Sequence, residues 1–505
     1  MYNLLEKYRN TFLFIALLVL IYFPIFLHLN YMPFRMWDES ILGVNAIDMA
    51  KNHNYIVTYY YGHTEMGNCK PPLMIWCIVL FSKLLGFSEL SVRLPSAIAA
   101  LILCMYLFFA IKKFTASGVF GFLTVLVLVT CQGYVRNHVI RTGEYDSLLV
   151  LFSTISSINL FLAVEYEDAK KRLKHLFLFF LFLTLAVLTK GVACMMLAPG
   201  LFLYVLLRKK VMVFLKEKMF YAGLLFFIVF GVGYYFFRES INPGYLEAVW
   251  INELGGRYGQ TIDAHYGSIW FYFNEIVTWQ FTSYMLLFPL SILVGLKFST
   301  NNVNRITLFS VIVGGVFLLI VSVAGTKLPH YDAPLFPYLA IITAALFYFL
   351  YTVIKGWLSK RTTYLIASLM AMVCVLSLLA KPYYDIISKV YFPKGDAWEE
   401  NFSNSCRIFQ DAAHGKIALN DYKLVFDADE EYGPITVLTC YKQMLKERGI
   451  DVKIERHDAV SAGEKVIVFD PYMIQLLSQK FDIDVIEHID RYNADIINVK
   501  EKIEQ

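Results

Sequence analysis

Charged residues are scarce in this chain: they make up 17% of its 505 residues, and the formal net charge is only +4. A typical soluble domain is about a quarter charged, and so small a net charge does not indicate a nucleic-acid-binding protein. Hydrophobic residues make up 58% of the chain and aromatic residues 16%. Many runs reach the roughly 17–25 apolar residues that a helix needs to cross a bilayer. We therefore predict an all-α polytopic membrane protein.

The eight cysteines form no CxxC pair and no other spacing typical of a metal site. No small-residue cleavage site follows the first apolar run, 11–29, so we expect this run to remain as a spanning helix. Cys406 and Cys440 fall in a polar C-terminal tail. If that tail lies outside the cytoplasm, a disulfide between them is one possibility.

Long apolar runs separated by short polar loops occupy most of the chain. We predict about 11 spanning helices from their lengths, near 11–29, 93–111, 118–134, 147–164, 176–189, 192–207, 219–237, 283–297, 306–324, 332–352 and 363–380. The apolar stretch 71–86 is short for a full span, and we expect it to be re-entrant or interfacial.

Clusters of Lys and Arg test this arrangement, because cytoplasmic loops carry an excess of both. If 71–86 does not cross, every cluster lies on one side of the membrane: Lys7 with Arg9, Lys112 with Lys113, 170–174, 208–210, Lys297 with Arg305, and 355–361. A crossing at 71–86 would place the later clusters opposite the N-terminus. The prediction is therefore a cytoplasmic N-terminus and an extracytoplasmic C-terminal tail.

The tail differs in character from the rest of the chain. It is polar, with short β-like runs near 423–426, 465–469 and 496–499 and a helical pattern near 435–448. We predict two domains: residues 1–382 form a transmembrane domain with external loops 30–92 and 238–282, and residues 383–505 form a small soluble α/β domain. The tail shows neither a nucleotide-binding loop nor a catalytic motif.

Two external segments carry the most informative polar residues. Asp38 and Glu39 follow the first apolar run, and Lys70 precedes two prolines at the start of the next. A carboxylate at this position could accept the proton of an acceptor hydroxyl, although Asp38 could instead cap a helix. Lys70 at a helix N-terminus would favour an anion such as phosphate, although a lysine there could also simply reach the headgroups.

Other polar residues on the predicted external loops could complete a substrate site: Arg141, Asp146, Lys190, His265, Lys327 and Tyr331. Five of the six have a simpler alternative. Asp146 could be the N-cap of the next helix, Arg141 a surface charge, and Lys190 the mark of a turn between two spans. His265 could be a solvated loop residue, and Tyr331 could belong to an interfacial aromatic belt.

A series of short motifs resembles a known superfamily. The motifs are Trp37-Asp38-Glu39, Lys70-Pro71-Pro72-Leu73, the run 89–97, the segment from Arg141 to Asp146, Leu188-Thr189-Lys190-Gly191, His265-Tyr266-Gly267, and Lys327-Leu328-Pro329 with Tyr331. Together they resemble the GT-C superfamily of polyprenyl-phosphate-dependent glycosyltransferases. Within it, the chain is most similar to the branch of aminoarabinose lipid A transferases and protein O-mannosyltransferases. The similarity covers about residues 10–350.

The resemblance implies a role for several residues. Asp38, with Glu39 beside it, would supply the catalytic carboxylate, and Lys70 would bind the donor phosphate. Asp146 matches an acidic residue of the second external loop, and His265 and Tyr331 match residues that line the lipid-phosphate pocket. The chain departs from the aminoarabinose transferases in two places, because Ile41 replaces an arginine and Asn68-Cys69 replaces acidic residues.

These departures weaken an assignment to aminoarabinose or lipid A and predict that no metal is essential, with a divalent metal near Asp38 and His265 left as an open alternative. The function that the resemblance implies is inverting transfer of a sugar from a polyprenyl-phosphate donor to an envelope lipid, glycan or protein. The expected location is the bacterial inner membrane. A transporter or lipid flippase is the main alternative, and an inactive scaffold that presents the tail is a third.

Overall fold

The structure, a computed structural model, describes residues 2–136, 138–256, 259, 261, 265–393, 400–426 and 433–503. The predictions for loop 238–282 and for the tail extend over residues outside this description, namely 257, 258, 260, 262–264, 394–399, 427–432, 504 and 505.

Helices dominate the chain up to residue 391. The first part contains α1 (Tyr2–Phe26), α2 (Asp38–Asn52), α3 (Leu73–Leu85), α4 (Glu89–Thr115), α5 (Gly118–Leu128), α6 (Gln132–Val135), α7 (Asp146–Glu165), α8 (Ala169–Lys190) and α9 (Ala198–Leu207). The second part contains α10 (Val211–Leu215), α11 (Lys218–Phe226), α12 (Gly233–Ile241), α13 (Tyr245–Val249), α14 (Phe271–Glu275), α15 (Thr282–Met285), α16 (Phe288–Lys297), α17 (Asn301–Val323), α18 (Phe336–Leu358) and α19 (Tyr364–Tyr391). Segments of 3₁₀ or π helix join several of them: Gly191–Leu197, Phe227–Val232, Trp250–Gly255, Ile276–Gln280 and Pro329–Leu335. A two-stranded antiparallel ribbon, β1 (Tyr59–Tyr60) and β2 (His63–Thr64), lies between α2 and α3.

The fold class predicted from the sequence is confirmed. Among the described residues, eight helical stretches are long and apolar enough to cross a membrane: Tyr8–Phe26, Glu89–Thr115, Asp146–Glu165, Ala169–Leu207, Lys218–Ile241, Asn301–Val323, Pro329–Leu358 and Tyr364–Tyr391. This number is lower than the prediction because the segments 118–134 and 283–297 contain only the shorter helices α5 and α16. The segments 176–189 and 192–207 also form one stretch here.

Helix α3 is too short to span a bilayer. It has 13 residues, which rise about 20 Å, whereas the hydrocarbon core is about 30 Å thick. The helix begins at Leu73, and Pro72 precedes it without a side-chain cap. Lys70 therefore lies on the connecting segment, three residues before α3, and not directly at the helix N-terminus as predicted.

Gly191 forms the break between α8 and α9. Its φ of 55° is accessible to glycine and rarely to other residues, and a Cβ there would lie 2.5 Å from the hydroxyl of Tyr235. The chain turns at this glycine into the 3₁₀ segment Gly191–Leu197. Lys190 is consequently held at the end of α8 with its side chain buried.

The tail forms a small α/β unit, as predicted. Its helices are α20 (Glu400–Ser405), α21 (Arg407–Ala413), α22 (Pro434–Glu447) and α23 (Pro471–Ser478), and its strands are β3 (Lys423–Val425), β4 (Lys453–Glu455), β5 (Lys465–Val468), β6 (Phe481–Ile489) and β7 (Ala494–Lys502). The five strands form one mixed sheet in the order β4-β3-β5-β7-β6. Strand β3 pairs in parallel with β4 and β5, and β7 pairs antiparallel with β5 and β6.

Two expectations about the tail differ from the structure. Cys406 and Cys440 are both buried free thiols, because Cys440 faces α2 and its Sγ lies 3.6 Å from the carbonyl oxygen of Ser40. The suggested disulfide is therefore wrong. Helix α19 also continues to Tyr391, beyond the domain boundary that we placed at residue 382.

Helix α22 joins the tail to the membrane part of the chain. The hydroxyls of Ser40 in α2 and Thr436 in α22 lie 2.5 Å apart. The hydroxyl of Tyr441 donates to Oε1 of Glu89, at the start of α4, over 2.9 Å. Both faces of this contact are buried, so the tail packs directly on the helix that carries Asp38.

Candidate active site

Asp38 is the first residue of α2, and its carboxylate is accessible from a cavity. Its side chain is 55% exposed, and it lines two neighbouring cavities. The preceding residue, Trp37, has a φ of 67°, in the left-handed region that costs a residue with a side chain about 1–3 kcal/mol. Strained backbone of this kind concentrates at functional sites. The turn before α2 therefore presents Asp38 in a conformation that the surrounding structure must hold.

Glu39 points into the protein, away from these cavities. Its side chain is 0% exposed, and Arg93 donates from Nε to Oε1 and from Nη2 to Oε2, both over 2.7 Å. The backbone N–H groups of Arg35 and Gly143 donate to the same carboxylate over 2.9 Å. This geometry gives Glu39 a structural role instead of the predicted catalytic one, because its carboxylate is saturated with donors and sealed from solvent.

The pKa of Glu39 reflects this balance. Burial alone would raise the pKa of the carboxyl group. The charge and hydrogen bonds of Arg93, with the two backbone donors, outweigh burial and hold the pKa below its ordinary value. Glu39 is therefore ionised throughout the neutral range and cannot act as an acid there.

Lys70, Asp146 and Lys190 meet on one side of Asp38. Nζ of Lys190 donates to both carboxylate oxygens of Asp146 over 2.7 Å and lies 5.3 Å from the ring centre of Tyr331. Nζ of Lys70 lies 3.3 Å from Oε1 of Glu253. The structure thus brings together four residues that the sequence analysis selected independently, namely Lys70, Asp146, Lys190 and Tyr331.

His138 and His330 lie on the other side of Asp38, and the sequence analysis did not select them. Their rings stack with centroids 4.3 Å apart. Nδ1 of His138 lies 2.5 Å from Oε2 of the buried Glu144 and 3.9 Å from Oδ2 of Asp38. Burial lowers the pKa of His138, but the neighbouring carboxylate of Glu144 more than offsets it and raises the pKa to about 9. His138 is therefore an imidazolium at neutral pH.

Three adjoining cavities surround this group of residues. An apolar cavity of about 420 Å³ ends at Lys70, Asp146, Lys190 and Tyr331 and is lined further out by residues such as Met195, Met196 and Ile320. A small cavity of about 40 Å³ is lined by the same four polar residues together with Asp38 and His330. A third, of about 830 Å³, begins at Asp38, His138 and His330 and includes His265, Glu275 and Trp279. Asp38 and His330 thus stand between an apolar groove and a more polar chamber.

Two predicted substrate-site residues, Arg141 and Lys327, occupy other positions. The guanidinium of Arg141 donates to the carbonyl oxygens of Pro24 and Leu27 over 3.1 and 2.7 Å, which satisfies the C-terminal carbonyls of α1. Nζ of Lys327 donates to the carbonyl of Ser322 over 2.9 Å and to that of Ala324, at the end of α17. In this structure neither side chain joins Lys70 and Lys190, in contrast to the prediction.

His265 lies at the edge of the group, on the polar chamber. Its backbone carbonyl accepts a hydrogen bond from the N–H of Lys327 over 2.9 Å. The imidazole is exposed and lines the chamber that contains Asp38, so the structure places His265 on the polar chamber and not on the apolar groove.

Comparisons with known proteins identify the fold. A sequence model of the family described as dolichyl-phosphate-mannose-protein mannosyltransferase matches residues 69–235. The structure is similar to the crystal structure of ArnT from Cupriavidus metallidurans bound to undecaprenyl phosphate, with a TM-score of 0.65, 15% identity and coverage of 96% of this chain and 97% of that one. The chain has the GT-C fold of ArnT, and its residues 69–235 match the mannosyltransferase family model.

Two further matches agree with this assignment. The apo structure of the same ArnT gives a TM-score of 0.64 with 14% identity, over 97% of this GT-C chain and 98% of that one. An uncharacterized protein of Aquifex aeolicus (strain VF5) is 28% identical over 388 residues, which is 76% of this chain and 72% of that protein. The matches to ArnT extend over nearly the whole chain, so the fold that they share includes the C-terminal tail.

One group of side chains in this GT-C protein has the spacing of a metal site. Ligand atoms of Asp38, His138 and His330 lie within 4.8 Å of one another. Imidazole and carboxylate groups suit Zn²⁺, and Glu144 would support His138 from behind as carboxylates do for ligating histidines. The group includes Asp38, as the alternative in the sequence analysis proposed, but His138 and His330 take the place of His265.

Proposed function

We propose that this protein is a glycosyltransferase that moves a sugar from a polyprenyl-phosphate donor to an acceptor outside the cytoplasm, with inversion at the anomeric carbon. The observation that carries the proposal is the continuity of the cavities: an apolar groove ends at two lysines, and the accessible carboxylate of Asp38 separates these lysines from a polar chamber. A lipid-linked anionic donor and a polar acceptor would meet at that carboxylate.

The apolar groove fits the lipid part of such a donor. Its lining is dominated by Met, Val, Ala, Leu and Ile side chains, which bury isoprenoid units favourably. At its inner end, the ammonium groups of Lys70 and Lys190 would lie against the donor phosphate. The structure of ArnT from Cupriavidus metallidurans contains undecaprenyl phosphate, and its similar fold supports the same class of lipid here.

Asp38 is the proposed general base. It accepts the proton of the acceptor hydroxyl while the acceptor oxygen forms a bond to the anomeric carbon. The bond from that carbon to the phosphate oxygen breaks, and polyprenyl phosphate leaves with the electron pair. Its negative charge rises as the bond breaks, and Lys70 and Lys190 stabilise that charge because they are already in position. The imidazole of His138 lies 3.9 Å from the carboxylate of Asp38, within reach of the group that accepts the proton.

The two lysines are held by acids until the donor arrives. Lys190 is paired with Asp146 over 2.7 Å and Lys70 with Glu253 over 3.3 Å. The two acids offset the cost of burying the lysine ammonium groups before the donor binds. A donor phosphate that binds between the lysines adds a third anionic group to the two acids. The attraction of the lysines is strongest for the most highly charged species on the reaction path, which is the leaving phosphate.

The test uses the purified full chain in lipid nanodiscs with radiolabelled polyprenyl-phosphate sugars and a membrane extract as the acceptor source. Asp38→Asn should reduce transfer by about 10²–10⁴-fold, the usual effect of losing a general base. Asp48→Asn is the matched control, because Asp48 lies in the same helix and accepts from the N–H of Gly62, a role that an asparagine oxygen can keep.

Each outcome of this experiment is decisive. Labelled product that depends on Asp38 supports transfer. Wild-type rates in Asp38→Asn would remove the base assignment. Movement of the intact labelled lipid between leaflets, with no labelled product from any donor, would replace the proposal by a lipid flippase.

A further inference from the structure

A fourth cavity, away from the candidate active site, is strongly cationic. It has a volume of about 400 Å³ and lies between the C-terminal ends of α1 and α19 and the loop after α6. Its basic side chains are His28, Arg35, Arg93, Arg136, Arg141 and Lys389. Among the described residues that line it, none is an aspartate or a glutamate.

Among the described residues, part of this charge meets neutral acceptors and not acids. Arg93 is neutralised by Glu39. Arg141 donates to backbone carbonyls, and Nζ of Lys389 donates to the side-chain amide oxygen of Gln132 over 2.5 Å. These acceptors are neutral, and within the described part of the chain neither Arg141 nor Lys389 forms an ion pair with a carboxylate. The guanidinium of Arg136 adds a further positive charge and lies 5.5 Å from the ring centre of Trp279.

Like charges are held together here at some energetic cost. Burial and the neighbouring Arg93 lower the pKa of Arg141 to about 10, yet Arg141 remains charged at neutral pH. Crowded cations in a concave, partly buried site attract an anion strongly, because the low-dielectric walls concentrate their field. A polar cavity assembled from several arginines and a lysine is typical of phosphate recognition.

The position of the cavity indicates that its ligand is a lipid. Tyr31, Tyr384, Tyr391 and Phe392 are all exposed near the ends of the two helices, as aromatic side chains are at the boundary between headgroups and acyl chains. Nδ1 of His28 lies 3.0 Å from the carbonyl oxygen of Tyr391, which joins α1 to α19 behind these rings. The cavity is therefore placed at headgroup depth beside lipid-facing helices.

We propose that this cavity binds the phosphate headgroup of an anionic phospholipid, with its acyl chains against the exposed faces of α1 and α19. The proposal concerns lipid binding and holds independently of sugar transfer. It also connects to the candidate active site, because Arg136 lines both this cavity and the chamber that contains Asp38, and His138 follows two residues later in the same loop. A bound headgroup would thereby fix the loop that carries His138.

The direct test measures lipid binding to the full chain. The protein is exchanged into nanodiscs of pure phosphatidylcholine, phosphatidylglycerol is titrated in, and the bound fraction is measured by native mass spectrometry. Each basic residue near a membrane surface contributes about 1 kcal/mol to anionic lipid binding, or about fivefold in affinity. Lys389→Gln should weaken binding by about this factor, and Lys389→Gln with Arg136→Gln by about 25-fold.

Lys381→Gln is the matched control, since Lys381 lies in the same helix but pairs with Asp385 on the exposed surface. This variant should bind phosphatidylglycerol as the wild type does. A parallel titration with inorganic phosphate separates the two possible sources of the anion. If millimolar phosphate leaves phosphatidylglycerol binding unchanged, the result supports a lipid-binding site. If phosphate displaces phosphatidylglycerol at concentrations similar to that of the lipid, the cavity is a site for a soluble anion.

Two further results would overturn the proposal. One is a double variant that unfolds at the wild-type temperature and binds phosphatidylglycerol with the wild-type affinity. The other is an equal loss in Lys381→Gln, which would mean that general surface charge is responsible. Lys389→Gln, whose side chain lines only the cationic cavity, should also weaken the dependence of transfer on phosphatidylglycerol content while it keeps its rate in phosphatidylcholine. Because binding is read without any sugar donor, a failure of the proposed transferase function would leave this result interpretable.

Discussion

The buried pair of Glu39 and Arg93 allows a prediction that separates structure from chemistry at the proposed site. Arg93 is 2% exposed and Glu39 is 0% exposed, and the carboxylate accepts four hydrogen bonds, two from Arg93 and one each from the N–H groups of Arg35 and Gly143. Arg93 also donates to the carbonyls of Leu29, Met32 and Pro33, so it ties the segment before α2 to α4.

The perturbation is Glu39→Ala, compared with Glu39→Gln. Removing one partner of a buried ion pair destabilises a protein by about 3–5 kcal/mol, because the remaining charge is left uncompensated. Here the alanine variant also leaves two buried N–H donors without an acceptor, at about 1–3 kcal/mol each where no water replaces it. We expect a loss of about 3–5 kcal/mol or more in the free energy of unfolding for Glu39→Ala, and a smaller loss for Glu39→Gln, which retains one acceptor oxygen.

The assay is thermal unfolding of the purified variants in one detergent, with a double-mutant cycle. Glu39→Leu combined with Arg93→Met should be less destabilised than either single change, because it removes both charges. The exposed pair Lys381 and Asp385 provides the control, and Lys381→Ala should change stability by about 0.3–0.5 kcal/mol at most. An unfolding temperature for Glu39→Ala equal to that of the wild type would refute the reasoning.

The pH dependence follows from the lowered pKa of Glu39. The stabilisation is present above the unfolded-state pKa of about 4.3, and it is lost as the pH falls through the lower folded-state value. Glu39→Gln should lack this acid-side loss. Transfer per folded molecule should stay within a few-fold of wild type in Glu39→Gln, and a well-folded Glu39→Gln protein without activity would place Glu39 in the chemistry after all.

Three shorter predictions concern the proposed active site. In EDTA, transfer should decline as the pH rises through about 9, where His138 loses its charge, and His138→Gln should lack this decline in a pH–rate profile. Micromolar Zn²⁺ should inhibit the wild-type enzyme by binding Asp38 together with His138 and His330. The His330→Gln variant should be less sensitive to Zn²⁺, and activation of the wild type by Zn²⁺ would contradict the prediction. Lys70→Gln should lower kcat/KM for the donor by about 10–100-fold, the effect of losing a hydrogen bond to a charged group, whereas an unchanged value would remove Lys70 from the phosphate site.

The membrane fold could be predicted well because spanning helices appear in the sequence as long apolar runs. The break at Lys190 and Gly191 and the short helix α3 were both visible in the sequence. The end of α19 was not, because Lys381 and Pro382 look like a helix terminus. In the structure Pro382 lies inside α19, and the helix continues because its next turn packs on α1, where the hydroxyl of Tyr383 donates to the carbonyl of Leu20 over 2.8 Å.

The site could be predicted only in part, because sequence shows which residues are polar but not what they face. Arg141 and Lys327 were predicted as substrate-site residues, but each binds the unsatisfied carbonyls at a helix C-terminus. His138 and His330 were not selected from the sequence, and only the fold stacks them beside Asp38. The pair of Glu39 and Arg93 joins residues 54 positions apart, a distance that no local pattern connects.

The position of Asp38 depends on both parts of the chain. Its neighbour Glu39 is held by Arg93 of α4, and the next residue, Ser40, contacts α22 of the tail through its hydroxyl and its carbonyl. The approach of α22 is close: a Cβ at Gly43 would lie 2.7 Å from Sγ of Cys440, so only glycine fits there. A tail that was merely displayed by a scaffold would not need such a contact. Its packing on the helix that begins at Asp38 instead makes the tail part of the support for the proposed base.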